Sequence, residues 1–110
     1  MLQTLEKDDL IGFRRTLEIL DLSGNLLERV PQMTLLRMKK LVRLSLQDNR
    51  IRKIQPEDFE VWGETLTTLS LANNGITHLS EGSFAHLKKL KELKLSFNNI
   101  LFFSSEIFKP

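Results

Sequence analysis

Few residues of this 110-residue chain have the types and spacing that chemistry needs. The two histidines, His78 and His86, stand eight residues apart, without the i, i+4 spacing of a zinc-binding helix and without a cysteine, since the chain has none. That pattern argues against a metal centre, and the missing cysteines remove disulfides and thiol nucleophiles. The acidic pairs Asp8/Asp9 and Glu57/Asp58 have the chemistry of a general acid and base. Each stands where a turn begins, however, a place where carboxylates suit unpaired backbone N–H groups, and both pairs read as solvated caps. The serines lack a G-x-S-x-G elbow, and the five glycines form no phosphate-cradling loop. No enzyme, cofactor or metal is expected.

Charge narrows the partners. Sixteen Lys+Arg against fourteen Asp+Glu leave +2, with 27% of residues charged, an ordinary globular balance. A basic column does recur at Arg14/Arg15, Lys39/Lys40 and Lys88/Lys89, joined by Lys91 and Lys94. Such a stripe suits a sulfated glycan, a lipid headgroup or nucleic acid. Gly63-Glu64 interrupts it and nearby acids balance it, so solubility is the favoured explanation; no nucleic acid is expected, and polyanion binding stands as an alternative. Met1 to Asp9 carries acids where a signal peptide needs a basic then apolar run, and no apolar stretch has the length of a membrane span.

The elements that must position any site follow from a repeat. Leucine fills 22 of 110 positions. Four segments begin at Leu17, Leu41, Leu66 and Leu90, spaced 24, 25 and 24 residues apart, and each reads L-x-x-L-x-L-x-x-N-x-(L/I). The consensus asparagines are Asn25, Asn49, Asn74 and Asn98. The second half of each unit repeats as well: Leu5, Val30, Ile54, Leu79, Phe103; then Leu10, Leu35, Phe59, Phe84, Phe108; then Phe13, Met38, Trp62, Leu87. Residues 1–16 form a partial repeat, 17–40, 41–65 and 66–89 full repeats, and 90–110 a truncated one. The partial units at both ends predict an internal segment of a longer array.

Alternation in x-L-x-L-x predicts short strands with leucines inward, stacked in parallel as the rungs of one sheet. A parallel connection needs a return path of about a dozen residues, which the rest of each unit supplies. Gln55-Pro56-Glu57, Ser80-Glu81 and Ser104-Ser105-Glu106 carry helix-start chemistry, predicting a helical or 3₁₀ turn at each. The asparagines should satisfy turn backbone groups as a structural ladder. Asn49 and Asn74, in central repeats, are expected to matter more than Asn98. The whole is an α/β right-handed solenoid, with a curved parallel sheet on its concave side and short turns on its convex side.

On these motifs the chain resembles the leucine-rich repeat family over essentially all its length. The 24-residue period and the phenylalanine column Phe59, Phe84, Phe108 are similar to the type common in animal extracellular proteins. TLEILDLSGN, LVRLSLQDN and LTTLSLANNGITHLSEGSFAHLKKL are similar in texture to Toll-type receptor ectodomains and chaoptin-like adhesion proteins. The resemblance implies a protein-recognition segment of a cell-surface array, placed outside the cell and joined to a membrane only through flanking segments. Absent cysteine caps, sequons and signal depart from that pattern. A spacer role, or a cytoplasmic scaffold regulating a signalling complex, are the alternatives.

Such arrays bind through the concave face. Its columns give the candidate partner contacts Ile19, Arg43, Thr68, Glu92; Asp21, Ser45, Ser70, Lys94; Gln47; and Asp48, Asn73, Phe97. Leu26 and Phe97 are expected to tuck against adjacent turns, whereas Ile19 is equally suited to an exposed contact. Unpaired strand edges, with Leu2, Leu5 and Leu10 at one end and Phe102, Phe103 and Phe108 at the other, predict self-association or fraying.

Overall fold

The computed structural model describes residues 17–33, 35, 36, 38–103 and 106–109. The partial repeat 1–16, with its Asp8/Asp9 pair, Arg14/Arg15 and apolar residues, lies outside them, as do Ser104 and Ser105. Each L-x-x-L-x-L segment yields one three-residue strand: β1 (Ile19–Asp21), β2 (Arg43–Ser45), β4 (Thr68–Ser70) and β6 (Glu92–Lys94). They pair in parallel in the order β1-β2-β4-β6. A second parallel sheet, β3 (Lys53–Ile54), β5 (His78–Leu79) and β7 (Phe102–Phe103), lies further along each unit. The molecule is therefore a stack of rungs, each contributing a strand to the first sheet, and all but the β1 rung contributing a described strand to the second.

Between the sheets the repeat columns become layers of core. Leu44 and Leu69 point in from the first sheet and Ile54 and Leu79 from the second, all at most 2% exposed. Leu35, Phe59 and Phe84 fill the return side, where Phe59 stacks on Phe84 at 5.7 Å between ring centroids and Phe84 meets Phe108 at 5.8 Å. Phe108 itself is 56% exposed. Leu20 and Leu93, on the outer strands of the first sheet, are only half-buried, because each has a neighbouring rung on one side among the described residues.

The return segments differ more than their sequences predict. Only Gln55-Pro56-Glu57 starts a described helix, the 3₁₀ helix Pro56–Trp62. Proline at its first position presets the backbone, and Asp58 accepts the Gln55 N–H at 2.9 Å. Around Ser80 the chain makes turns instead, with the Ser83 hydroxyl donating to the Ser80 carbonyl at 2.7 Å. The Ser83 N–H donates to the same carbonyl at 3.1 Å, the three-residue closure of the turn expected there, and the hydroxyl reinforces it without the turn extending into a helix.

The single extra residue of the 41–65 unit sits at one corner. Leu41 N–H donates to the carbonyl of Met38, three residues back, and Leu90 N–H likewise to Leu87. At the equivalent corner Leu66 N–H donates to Trp62, four residues back, at 3.0 Å. Gly63 lies within this widened corner, so close to the next rung that a β-carbon there would stand 2.4 Å from the His86 carbonyl oxygen. The gap in the basic column thus has a steric reason: where the flanking rungs place Lys39 and Lys88, this one has room only for glycine.

Candidate functional site

Strand register assembles the outer face of the first sheet. Ile19, Arg43, Thr68 and Glu92 are direct partners across β1, β2, β4 and β6, and Asp21, Ser45, Ser70 and Lys94 form the next row. Both rows point away from the core because the leucines between them point in. The turn after each strand adds Gln47 in one row and Asp48, Asn73 and Phe97 in another.

Polar contacts hold much of this face in place. Asn73 Nδ2 donates to Asp48 Oδ1 at 2.6 Å across the two central turns. Asp21 accepts from both the hydroxyl and the backbone N–H of Ser23, and these bonds, hydroxyl first, hold its carboxyl below the ordinary aspartate value. Glu92 and Lys94 pair at 3.9 Å on the exposed surface, a contact water weakens. Ser70 departs from its expected role: it is 7% exposed, and its hydroxyl donates to Gln47 Oε1 at 3.1 Å. It positions Gln47 and does not itself present a hydroxyl to a partner.

Phe97 departs too. Instead of tucking away, its side chain is 84% exposed, while Ile19 is 61% exposed and Leu26 is half-buried. Phe97 occupies the last turn beside β6, so only the preceding rung could cover it among the described residues. Its backbone is left-handed, with φ of +58°, as are Gly24, Asp48 and Asn73 at the same place in their turns. Glycine, aspartate and asparagine accept that conformation readily; phenylalanine does not.

The asparagines lie behind the face. Asn49 Oδ1 accepts from Leu27 N–H, Asn74 Oδ1 from Ile51 N–H, and Asn98 Oδ1 from both Asn74 and Ile76 N–H, each at 3.1 Å. Their amides donate both within their own turn and backward, Asn49 to Leu22, Asn74 to Leu46 and Asn98 to Leu71 carbonyls. Asn25 donates to Leu22 and Ser23 in its own turn.

Two features escape the sequence-based expectations. Asp58 is almost fully buried, not solvated, and burial raises its carboxyl above the ordinary aspartate value; the Gln55 N–H and Arg29 act against that shift, Glu57 with it. The signal was its place three residues after Gln55, where a cap can fold back. The second is a cavity on the other sheet lined by Arg52, Lys53, Thr77, His78 and Ser80. It needs the register of β3 and β5, which the leucine spacing alone does not supply. His86 is exposed, and among the described residues no three carboxylates or histidines cluster to hold a metal ion. The lysines Lys39, Lys40, Lys88, Lys89 and Lys91 are all exposed, and no helix among the described residues is long and apolar enough to cross a membrane.

The leucine-rich repeat family model matches residues 15–61 and 64–110, so the chain belongs to the leucine-rich repeat family. Its fold is the α/β solenoid of that family, whose repeats generally mediate protein–protein interaction and are typically non-enzymatic. No curated protein matches the chain.

Proposed function

We propose that this segment recognises a protein ligand through the outer face of its first sheet, as part of a cell-surface receptor or adhesion array. The carrying observation is the unbroken register that sets Ile19, Arg43, Thr68 and Glu92 beside Asp21, Ser45 and Lys94 on one exposed surface. Gln47, Asp48 and Asn73 enter it already constrained by hydrogen bonds, which lowers the ordering cost of contact. Ile19 and Phe97 supply exposed apolar area at opposite ends of the face. Placement outside the cell is part of this proposal and rests on the resemblance to extracellular repeats, whose phenylalanine column here is Phe59, Phe84 and Phe108. Affinity comes from several side chains acting together.

The chain, immobilised, is to be screened against a library of individually purified secreted and ectodomain proteins. Phe97→Ala and Arg43→Glu are expected to weaken a partner's binding by about tenfold or more each, as hot-spot contacts do, while Glu81→Ala on the return side has no effect. A partner that tolerates both face substitutions and loses binding on return-side substitution would overturn the assignment.

A further inference from the structure

A second site lies on the other sheet. Arg52 and Lys53, from the β3 rung, and Thr77, His78 and Ser80, from the β5 rung, line a cavity of about 550 Å³. Lys53 and His78 are direct register partners, and Thr77 N–H donates to the Arg52 carbonyl at 3.1 Å, so the lining residues form two adjacent rows. Arg52 gains a shelf from Gly75: a β-carbon at that glycine would meet Arg52 Cγ at 3.9 Å, and without one the aliphatic stem lies over bare backbone. Thr77 Oγ1 is 2.9 Å from Nδ1 of His78 and fixes the imidazole ring.

The charge here is not balanced locally. Among the described residues no carboxylate lines the cavity, and the ion pairs they form, Lys94–Glu92 and Lys109–Glu106, stand elsewhere. Glu28 and Asp58 line the adjoining hollow, which Lys53 also lines together with Arg29. Two permanent cations on neighbouring residues stand beside an imidazole and two hydroxyls that already bond within the chain, Thr77 to His78 and Ser80 to Ser83, so what the cavity offers a ligand is the two cations and the apolar stems beneath them. A guanidinium fork and an ammonium bordering one space fit an oxyanion that has three or more oxygens to share between them better than a two-oxygen carboxylate.

We propose that this cavity binds a single sulfate or phosphate monoester group. The volume exceeds what one tetrahedral ion fills, which leaves room for the carrier of the ester against the stems of Arg52 and Lys53. A continuous polyanion fits less well, because in the adjoining hollow Glu28 and Asp58 are interleaved with Arg29 and break the positive surface. This assignment is independent of what the first sheet recognises.

The test is amide and imidazole NMR of the whole chain during titration with inorganic phosphate, inorganic sulfate, glucose 6-phosphate, glucose 6-sulfate, acetate and a heparin-derived hexasaccharide. Saturable shifts at Arg52, Thr77, His78 and Ser80 are expected with the phosphate or sulfate probes, with acetate about tenfold weaker. Esters tighter than the inorganic ions would identify a carried group as the ligand; equal affinities would identify the free ion. Arg52→Ala and Lys53→Ala are each expected to weaken binding about tenfold, and Lys88→Ala to leave it unchanged. Absence of saturation, equal response to acetate, or equal loss in Lys88→Ala would overturn the proposal. So would hexasaccharide shifts centred on Lys39, Lys40, Lys88 and Lys89 with none at His78, which would establish polyanion binding in its place.

Discussion

The side-chain carbonyl of Asn98 accepts the backbone N–H of Asn74, one rung earlier, at 3.1 Å, and accepts that of Ile76 at the same distance. Asn98 therefore holds a turn that is not its own. Removing its side chain leaves two amides of the preceding rung without an acceptor, and leaves the Leu71 carbonyl with Asn74 Nδ2 alone of its two amide donors.

This reverses the order expected from position along the chain. Asn98→Ala should destabilise at least as much as Asn49→Ala or Asn74→Ala, by about 1–3 kcal/mol. Urea midpoints for the three variants decide it; a clearly smaller loss for Asn98→Ala would restore the importance of central position.

Asp58 should leave a signature in the pH dependence of stability. Burial, the largest cause, raises its folded value above 3.8, so the folded chain holds this proton more tightly than the unfolded chain. The stability this group contributes is full below that value and is lost as pH rises through the folded one. Asp58→Asn keeps an acceptor for Gln55 and removes the charge. Between about pH 4 and about pH 7 its urea midpoint should fall less, or rise more, than that of the parent chain. Asp21, whose value is lowered, acts in the opposite sense, but it is exposed and contributes less. Parallel pH profiles for parent and Asp58→Asn would show that the carboxylate is as well solvated folded as unfolded.

Gly63→Ala and Gly75→Ala form a matched pair. The first drives a methyl group into the His86 carbonyl and should cost about 1–3 kcal/mol, although its φ of −57° suits any residue. The second meets only the flexible Arg52 stem at 3.9 Å and should be tolerated. Thermal melts of the two proteins are sufficient, and equal melting temperatures would mean that the corner at Gly63 yields.

Phe97→Asn should stabilise the chain by roughly 0.5–1 kcal/mol, since asparagine accepts the left-handed backbone at lower cost and an 84% exposed ring has little packing to lose. The same substitution should weaken binding to a partner of the first-sheet face. A lowered urea midpoint would show that the ring packs in solution.

Much of the architecture was legible because period and burial are the same fact: leucines at alternate positions can only face one way, and a 24-residue return brings the next strand alongside. The rows from Ile19 to Glu92 and from Asp21 to Lys94 follow from that arithmetic. Exposure at single positions did not. Ser70 is covered by its bond to Gln47, Asp58 by the fold-back to Gln55, and Phe97 is bare because nothing described covers it on one side. Each outcome depends on a neighbour's side chain, which spacing does not encode. The cavity at Arg52 and His78 was hidden for a related reason, since two-residue strands carry too little alternation to announce a second sheet.

The corner between Trp62 and Leu66 has a consequence for how such an array can lengthen. There the switch from a three-residue to a four-residue closure absorbs one added residue, and both sheets continue in register beyond it. Repeat length is thus a local variable, adjustable at the return corner without re-aiming the residues that face a ligand. An insertion scan should find permissive sites between Trp62 and Leu66 and none between Leu66 and Asn74, where one added residue would turn the inward leucines to solvent.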